Sequence, residues 1–215
     1  MSDNVFADRR DAGRRLADAL QTRGLTEPGA IVAGIPRGGI VVAAEIARVT
    51  HVPLRAVLAG KVGAPGRPEL AVGAVGPDGT AHLDEYLVRR LRADPDWLDR
   101  AVDAERAELA ERAASLPGVL TAAELAGRTV IVVDDGVATG ATADAVGAWL
   151  GHAGAGRRVL ALPVGPPDTL RRLEDRYEEI VTVARPAHFL AVGQWYRDFA
   201  QTTDAEVTEL LEALA

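Results

Sequence analysis

The stretch Val130-Ile-Val-Val-Asp-Asp-Gly-Val-Ala-Thr-Gly-Ala-Thr142 carries the most chemistry in this chain. An apolar run ends in two adjacent carboxylates, Asp134 and Asp135, and a loop of small residues then opens a helical pattern. In open α/β sheets ligands bind beyond the carboxyl ends of the strands, which is where these acids would stand. The loop runs through Gly136, Val137, Ala138, Thr139, Gly140, Ala141 and Thr142. Its glycines and alanines let backbone N–H groups approach an anion closely. A helix that begins near Gly140 adds the positive partial charge of its N-terminus, and Thr139 and Thr142 add hydroxyl donors. Carboxylates accept hydrogen bonds from sugar hydroxyls. A phosphate cradle beside two such acceptors points to a ribose 5-phosphate. Two other readings compete. A P-loop ATPase needs Gly-Lys-Ser/Thr in the loop, and Gly140-Ala141-Thr142 has no lysine. The plainer reading is a tight turn whose acids cap a helix, and against it stand the acid pair, the glycine spacing and the strand context together.

The elements that must position this loop alternate between strand and helix. Residues 8–23 read as an amphipathic helix with Ala12, Leu16 and Leu20 on one face. An apolar run over 30–35 is broken by Pro36-Arg37-Gly38-Gly39, and a second helix follows to about Val49. Residues 53–59 form an expected strand, 60–68 an expected Gly- and Pro-rich loop, and 71–75 with 80–83 a hairpin about Pro77-Asp78-Gly79. Helices over 84–116 carry an apolar stripe at Leu98, Val102 and Leu109, and Thr121-Ala-Ala-Glu124 is a capping box. The strand 130–133, helix 142–152, strand 158–163, helix 168–176, strand 179–184 and a final helix from Thr203 complete the pattern. The fold class that follows is α/β, one domain with a central, mostly parallel sheet and flanking helices.

Composition limits the partners. The chain has 215 residues, 48% hydrophobic and 26% charged, which suits a globular domain and excludes wholesale disorder. No apolar run nears the ~20 residues that span a bilayer, and the start has no apolar leader, so a cytoplasmic protein without membrane contact is expected. The absence of cysteine excludes disulfides, thiolate metal sites and a cysteine nucleophile. The net charge of −7 and the lack of a basic stripe argue against a nucleic-acid partner. His51, His82, His152 and His188 are scattered without ligand spacing, so no metal site made of protein ligands alone is expected.

The Asp134 stretch resembles the ribosyl-phosphate motif of type I phosphoribosyltransferases. The wider chain resembles a bacterial subfamily of predicted phosphoribosyltransferases, through residues 8–13, 35–39, 61–65 with Pro68-Glu69, and 192–199. The resemblance implies 5-phosphoribosyl 1-pyrophosphate (PRPP) as substrate, with Mg²⁺ bound mainly through it. It places a pyrophosphate loop at Arg37, Gly38 and Gly39, where a simple strand-to-helix turn is the alternative. It places a mobile catalytic loop at Gly60 to Glu69, with Lys61 to neutralise leaving pyrophosphate and Glu69 as the available catalytic carboxylate. The subfamily more often has Arg-Lys where this chain has Gly60-Lys61, so one positive charge is missing. A solvated loop with a chance lysine is the competing reading.

Four of the nine aromatics lie between Phe189 and Phe199. In the resemblance this segment, over 185–203, is the hood that holds the acceptor, with Trp195, Tyr196 and Asp198 as its candidates. The alternative is an apolar clip for the C-terminal helix, favoured for Phe189 and Phe199 and level for Trp195 and Tyr196. Residues 84–126 are expected to be a solvated helical insertion or a dimer contact. The expected function is Mg²⁺-dependent transfer of a phosphoribosyl group from PRPP to a nitrogenous, nucleobase-like small molecule by a homodimer. The alternatives are a non-catalytic PRPP- or nucleotide-binding regulator and a sugar-phosphate hydrolase. Enzymes for 6-oxopurines carry an aspartate where this chain has Ala138, so hypoxanthine and guanine are expected to be poor acceptors.

Overall fold

The computed structural model describes residues 5–215, apart from the side chains of Pro68 and Glu69. Its frame is a five-stranded parallel sheet in the order β2 (Leu54–Ala56), β1 (Ile31–Gly34), β6 (Thr129–Val133), β7 (Arg157–Val164), β8 (Glu179–Ala184). All residues of β1 and β6 are buried, as expected of strands covered on both faces. One face is covered by α1 (Arg9–Thr22), α2 (Gly38–Thr50) and α7 (Asp204–Ala213). The other is covered by α5 (Ala141–His152) and α6 (Pro167–Leu173). The chain leaves β1 toward one edge of the sheet and β6 toward the other. The crevice between them is the topological switch point, where such sheets bind ligands. Ile35 N–H donates to Val133 O at 2.8 Å, which ties the two strand ends together.

A second, three-stranded antiparallel sheet of β3 (Gly60–Ala64), β4 (Arg67–Val75) and β5 (Ala81–Leu83) packs against α5. The hairpin of β4 and β5 is the expected one, with Gly73 opposite Leu83 and Val75 opposite Ala81. The strand β3 corrects the expectation of an irregular loop over residues 60–68. Residues 60–64 and 67–75 pair instead around a tight Pro65-Gly66 turn, with Gly66 at φ 67°. After the short α3 (Glu85–Leu91), the pairing is sustained by α4 (Pro95–Ser115), whose Leu98, Val102 and Leu109 pack with Val62, Ala64 and Val72. Burial of each of the leucine and valine side chains among them contributes about 1.5–3 kcal/mol. The α4 stripe therefore covers the hairpin, and its opposite face is exposed. Gly60 is a contact glycine. A Cβ there would lie 2.5 Å from Glu105 Oε2, so its lack of side chain lets α4 come close.

Candidate active site

Asp134 and Asp135 follow β6 at the crevice, and both are half-buried. Asp134 Oδ1 accepts the Asp135 N–H at 2.8 Å. Burial, and then the charge of Asp135, hold the Asp134 carboxyl well above the usual carboxylate range. Burial raises Asp135 as well, against the pull of the Arg9 guanidinium. Arg9 Nε donates to Asp135 Oδ2 at 2.8 Å, Arg9 NH1 donates to Ala200 O at 2.7 Å, and the guanidinium lies 3.8 Å from the Phe199 ring centroid. The first turn of α1 thus fixes the second acid. Asp8 shapes that turn, since its Oδ1 accepts the Asp11 N–H at 2.7 Å.

The loop after β1 lies directly on the acid pair. A Cβ on Gly38 would stand 2.0 Å from Asp135 Oδ2, and one on Gly39 would stand 2.7 Å from Val133 O. Neither glycine has a positive φ. The peptide bond before Arg37 is cis, and beside it the two glycines permit a close approach to the acid pair. Arg37, at the N-cap of α2, is partly exposed, and its NH1 lies 3.8 Å from Asp204 Oδ1. Arg37 and Lys61 line one cleft of about 1030 Å³, together with Glu108, Arg112 and Asp204. Asp134 and Asp135 do not line it.

The loop from Gly136 to Thr142 leads into α5, with Gly140 as its N-cap at φ 74°, a conformation that favours glycine. Val137 is buried, while Ala138 and Thr139 are exposed. The helix α6 holds this loop from behind. Thr169 Oγ1 donates to Ala138 O at 2.8 Å, and Arg172 NH2 donates to Thr139 O at 2.9 Å. With both carbonyls bound to α6, the loop keeps its peptides in one orientation before any anion arrives. Thr169 is buried, and Thr169→Val would leave the Ala138 carbonyl without this donor. We expect a stability loss of about 1–3 kcal/mol with weaker phosphate binding, and recovery of both in Thr169→Ser, checked by thermal melting and inorganic phosphate titration.

The phosphoribosyl transferase domain family model matches residues 6–186, which include both loops and the acid pair. The chain belongs to the phosphoribosyl transferase family. Two Mycobacterium tuberculosis proteins, "Putative phosphoribosyl transferase MT0597" of strain CDC 1551 and "Putative phosphoribosyl transferase Rv0571c" of strain H37Rv, are each 42% identical to it over 208 residues. The match covers 97% of this chain and 46% of each relative, so the chain spans about half their length. The crystal structure of TT1426 from Thermus thermophilus superposes with a TM-score of 0.78 at 43% identity, over 98% of this chain and 99% of that one.

In this member of the family the three hood candidates have different surroundings. Tyr196 is 3% exposed, with its ring centroid 5.3 Å from that of Phe6 and 5.0 Å from that of Phe199. Its hydroxyl donates to Asp135 O at 2.5 Å, and burial together with the charge of Asp135 raises its pKa, so it stays a neutral donor. Tyr196 is therefore corrected from an acceptor platform to a clip between the N-terminal segment, the hood and the acid pair. Trp195 is half-buried and stacks on Phe189, with centroids 6.3 Å apart at 16°, and its buried Nε1 has no partner among the described residues. Asp198 is exposed, lines a small cleft with Arg9 and Arg10, and caps its own turn by accepting the Ala200 N–H at 3.0 Å. The Glu69 side chain lies outside the described residues. Sequence reasoning missed Arg9, Thr169 and Arg172. Arg9 lies in the stretch 8–13 that carries part of the resemblance, a signal that marked the segment without assigning a role.

Among the described residues no three His, Asp or Glu side chains gather as a metal site. The donor set suits a divalent cation that arrives on its substrate. Asp134 is the carboxylate that such a charge would help to ionise, while Asp135 is already held by Arg9.

Proposed function

We propose that this chain transfers a 5-phosphoribosyl group from PRPP to a small nitrogenous acceptor and releases pyrophosphate. The observation that carries the reading is the contact of Gly38 and Gly39 with Asp134 and Asp135 at the switch point, beside the anion loop that α6 holds. Asp134 and Asp135 accept hydrogen bonds from the ribose hydroxyls. The N–H groups of residues 136–142 and the hydroxyls of Thr139 and Thr142 hold the 5-phosphate at the start of α5. Pyrophosphate lies toward Arg37, Gly38, Gly39 and Lys61, where fixed cations stabilise charge that grows as its bond to C1 breaks. The acceptor nitrogen bonds to C1 from the opposite side, so C1 inverts. Mg²⁺, bound mainly through PRPP, supplies further neutralisation of the departing pyrophosphate.

Trp195, which stacks on Phe189, and the exposed Asp198 are the hood candidates for the acceptor in this reading. Ala138 cannot exchange a proton, so proton transfer falls to Glu69, to the acceptor itself or to water. The protein acts as a cytoplasmic homodimer in this reading, which light scattering and cell fractionation test.

The test is a PRPP titration with and without Mg²⁺, followed by pyrophosphate release with a panel of bases. PRPP binding with release only when an acceptor is present supports transfer. Release without an acceptor makes the protein a hydrolase, and binding without release makes it a regulator. Within the panel, hypoxanthine and guanine are expected to turn over poorly at saturating PRPP. Efficient turnover of hypoxanthine would overturn the argument from Ala138.

A further inference from the structure

The cleft lined by Arg37, Lys61 and Asp204 brings together three cations from separate parts of the chain. Arg37 stands at the start of α2, Lys61 on β3, and Arg112 in the last turn of α4. Of these, Arg37 reaches Asp204 at 3.8 Å, while neither Lys61 nor Arg112 has an ion pair within 4.0 Å among the described residues. Glu108 also lines the cleft, and Glu105 stands against Gly60 beside it, so acids offset part of the positive charge. A cation at a helix C-terminus also favours the helix dipole, which would explain an arginine at this turn without any ligand. That account explains its position along α4 but not its convergence with Arg37 and Lys61.

We propose that Arg112 binds the pyrophosphate of PRPP alongside Arg37 and Lys61, which makes α4 part of the substrate site as well as the cover of the hairpin. This rests on the PRPP reading given above. Gly60 on the hairpin has no side chain. The same glycine leaves a space that Glu105 occupies, its Oε2 2.5 Å from where a Cβ would stand, so α4 approaches β3 closely. This approach brings the last turn of α4, and Arg112 with it, to the cleft that Lys61 lines. Guanidinium groups suit this task, since their planar forks can donate two hydrogen bonds to phosphate oxygens.

Calorimetry on the full chain with Mg²⁺ tests the assignment, with PRPP, ribose 5-phosphate and inorganic pyrophosphate as probes. Arg112→Gln is expected to lower the affinity for PRPP and pyrophosphate roughly 10-fold or more and to leave ribose 5-phosphate unchanged. Arg112→Lys is expected to recover part of the loss, and added salt to narrow the difference. A dipole role alone would lower the melting temperature and leave all three affinities in place. PRPP binding by Arg112→Gln within about twofold of the parent, or an equal loss for ribose 5-phosphate, would overturn the assignment. If the parent itself fails to bind PRPP, the functional reading falls and this one with it. If the parent binds and Arg112→Gln binds equally well, this one falls alone.

Discussion

Asp134→Asn is expected to weaken PRPP binding by roughly 10- to 100-fold while the protein folds as well as the parent, or better, at neutral pH. The two effects have one cause. The Asp134 carboxyl is raised well above its usual range by burial and by the charge of Asp135. An unfolded chain releases that proton near the ordinary value of about 3.9, whereas the folded chain keeps it to higher pH. Between those two values the folded state binds more protons, so stability falls as pH rises through the window, and the cost is complete above the folded value. Asparagine carries no such charge, and its amide oxygen can still accept the Asp135 N–H that Asp134 accepts at 2.8 Å. The substitution removes a destabilising charge and, with it, the strongest acceptor for a ribose hydroxyl. In the parent, PRPP affinity should decline as pH drops through the raised Asp134 value, because the ionised form is the better acceptor. That decline should flatten in the variant. Thermal melts from pH 5 to about 8, paired with calorimetry at each pH, test both halves. Unchanged PRPP affinity in the folded variant would remove Asp134 from the ribose site.

The sequence shows the frame of this site more clearly than its supports. The apolar run before Asp134 and the small-residue loop after it have a local signature, because strand burial and helix entry depend on near neighbours. The turn at Pro65-Gly66 has a local signal too, since Pro followed by Gly suits the two central positions of a type II turn. Three glycines within residues 60–66 outweigh that signal, because they lower strand propensity. What makes β3 a strand is α4, whose buried stripe begins more than thirty residues further on, and a propensity scale does not contain that contact. The same holds for Arg9 and Asp135, which are 126 residues apart and meet only once α1 is laid beside β6. Tyr196 shows another limit. An aromatic cluster announces a packed or stacking surface, but only the fold shows that Phe6 and Phe199 already cover this ring. Thr169 and Arg172 have the bland sequence of an ordinary helix turn, and their meaning comes from the two loop carbonyls they hold.

Gly38→Ala should do nearly as much damage to binding as the loss of the acid, through geometry alone. The new methyl carbon would lie 2.0 Å from Asp135 Oδ2 and 2.8 Å from Arg9 Nε, far inside van der Waals contact. Gly60→Ala is the instructive comparison, since its methyl would meet Glu105 Oε2 at 2.5 Å. Glu105 ends in a flexible side chain that can swing aside, so that change should cost little. Asp135 has no such freedom, because Arg9 holds its carboxylate and Arg9 is itself held by Ala200 O and the Phe199 ring. Two responses remain for Gly38→Ala. The carboxylate can rotate off Arg9, which leaves two half-buried charges without each other and costs about 2–4 kcal/mol. Alternatively the loop can lift from β6, which separates the pyrophosphate site from the ribose site. Either response should reduce PRPP affinity at least ~10-fold, whereas Gly60→Ala should leave the melting temperature close to the parent's. Melting curves and PRPP titrations of the two variants side by side decide the matter. A Gly38→Ala protein that binds PRPP as the parent does would show that the contact between the two loops is not needed for the site.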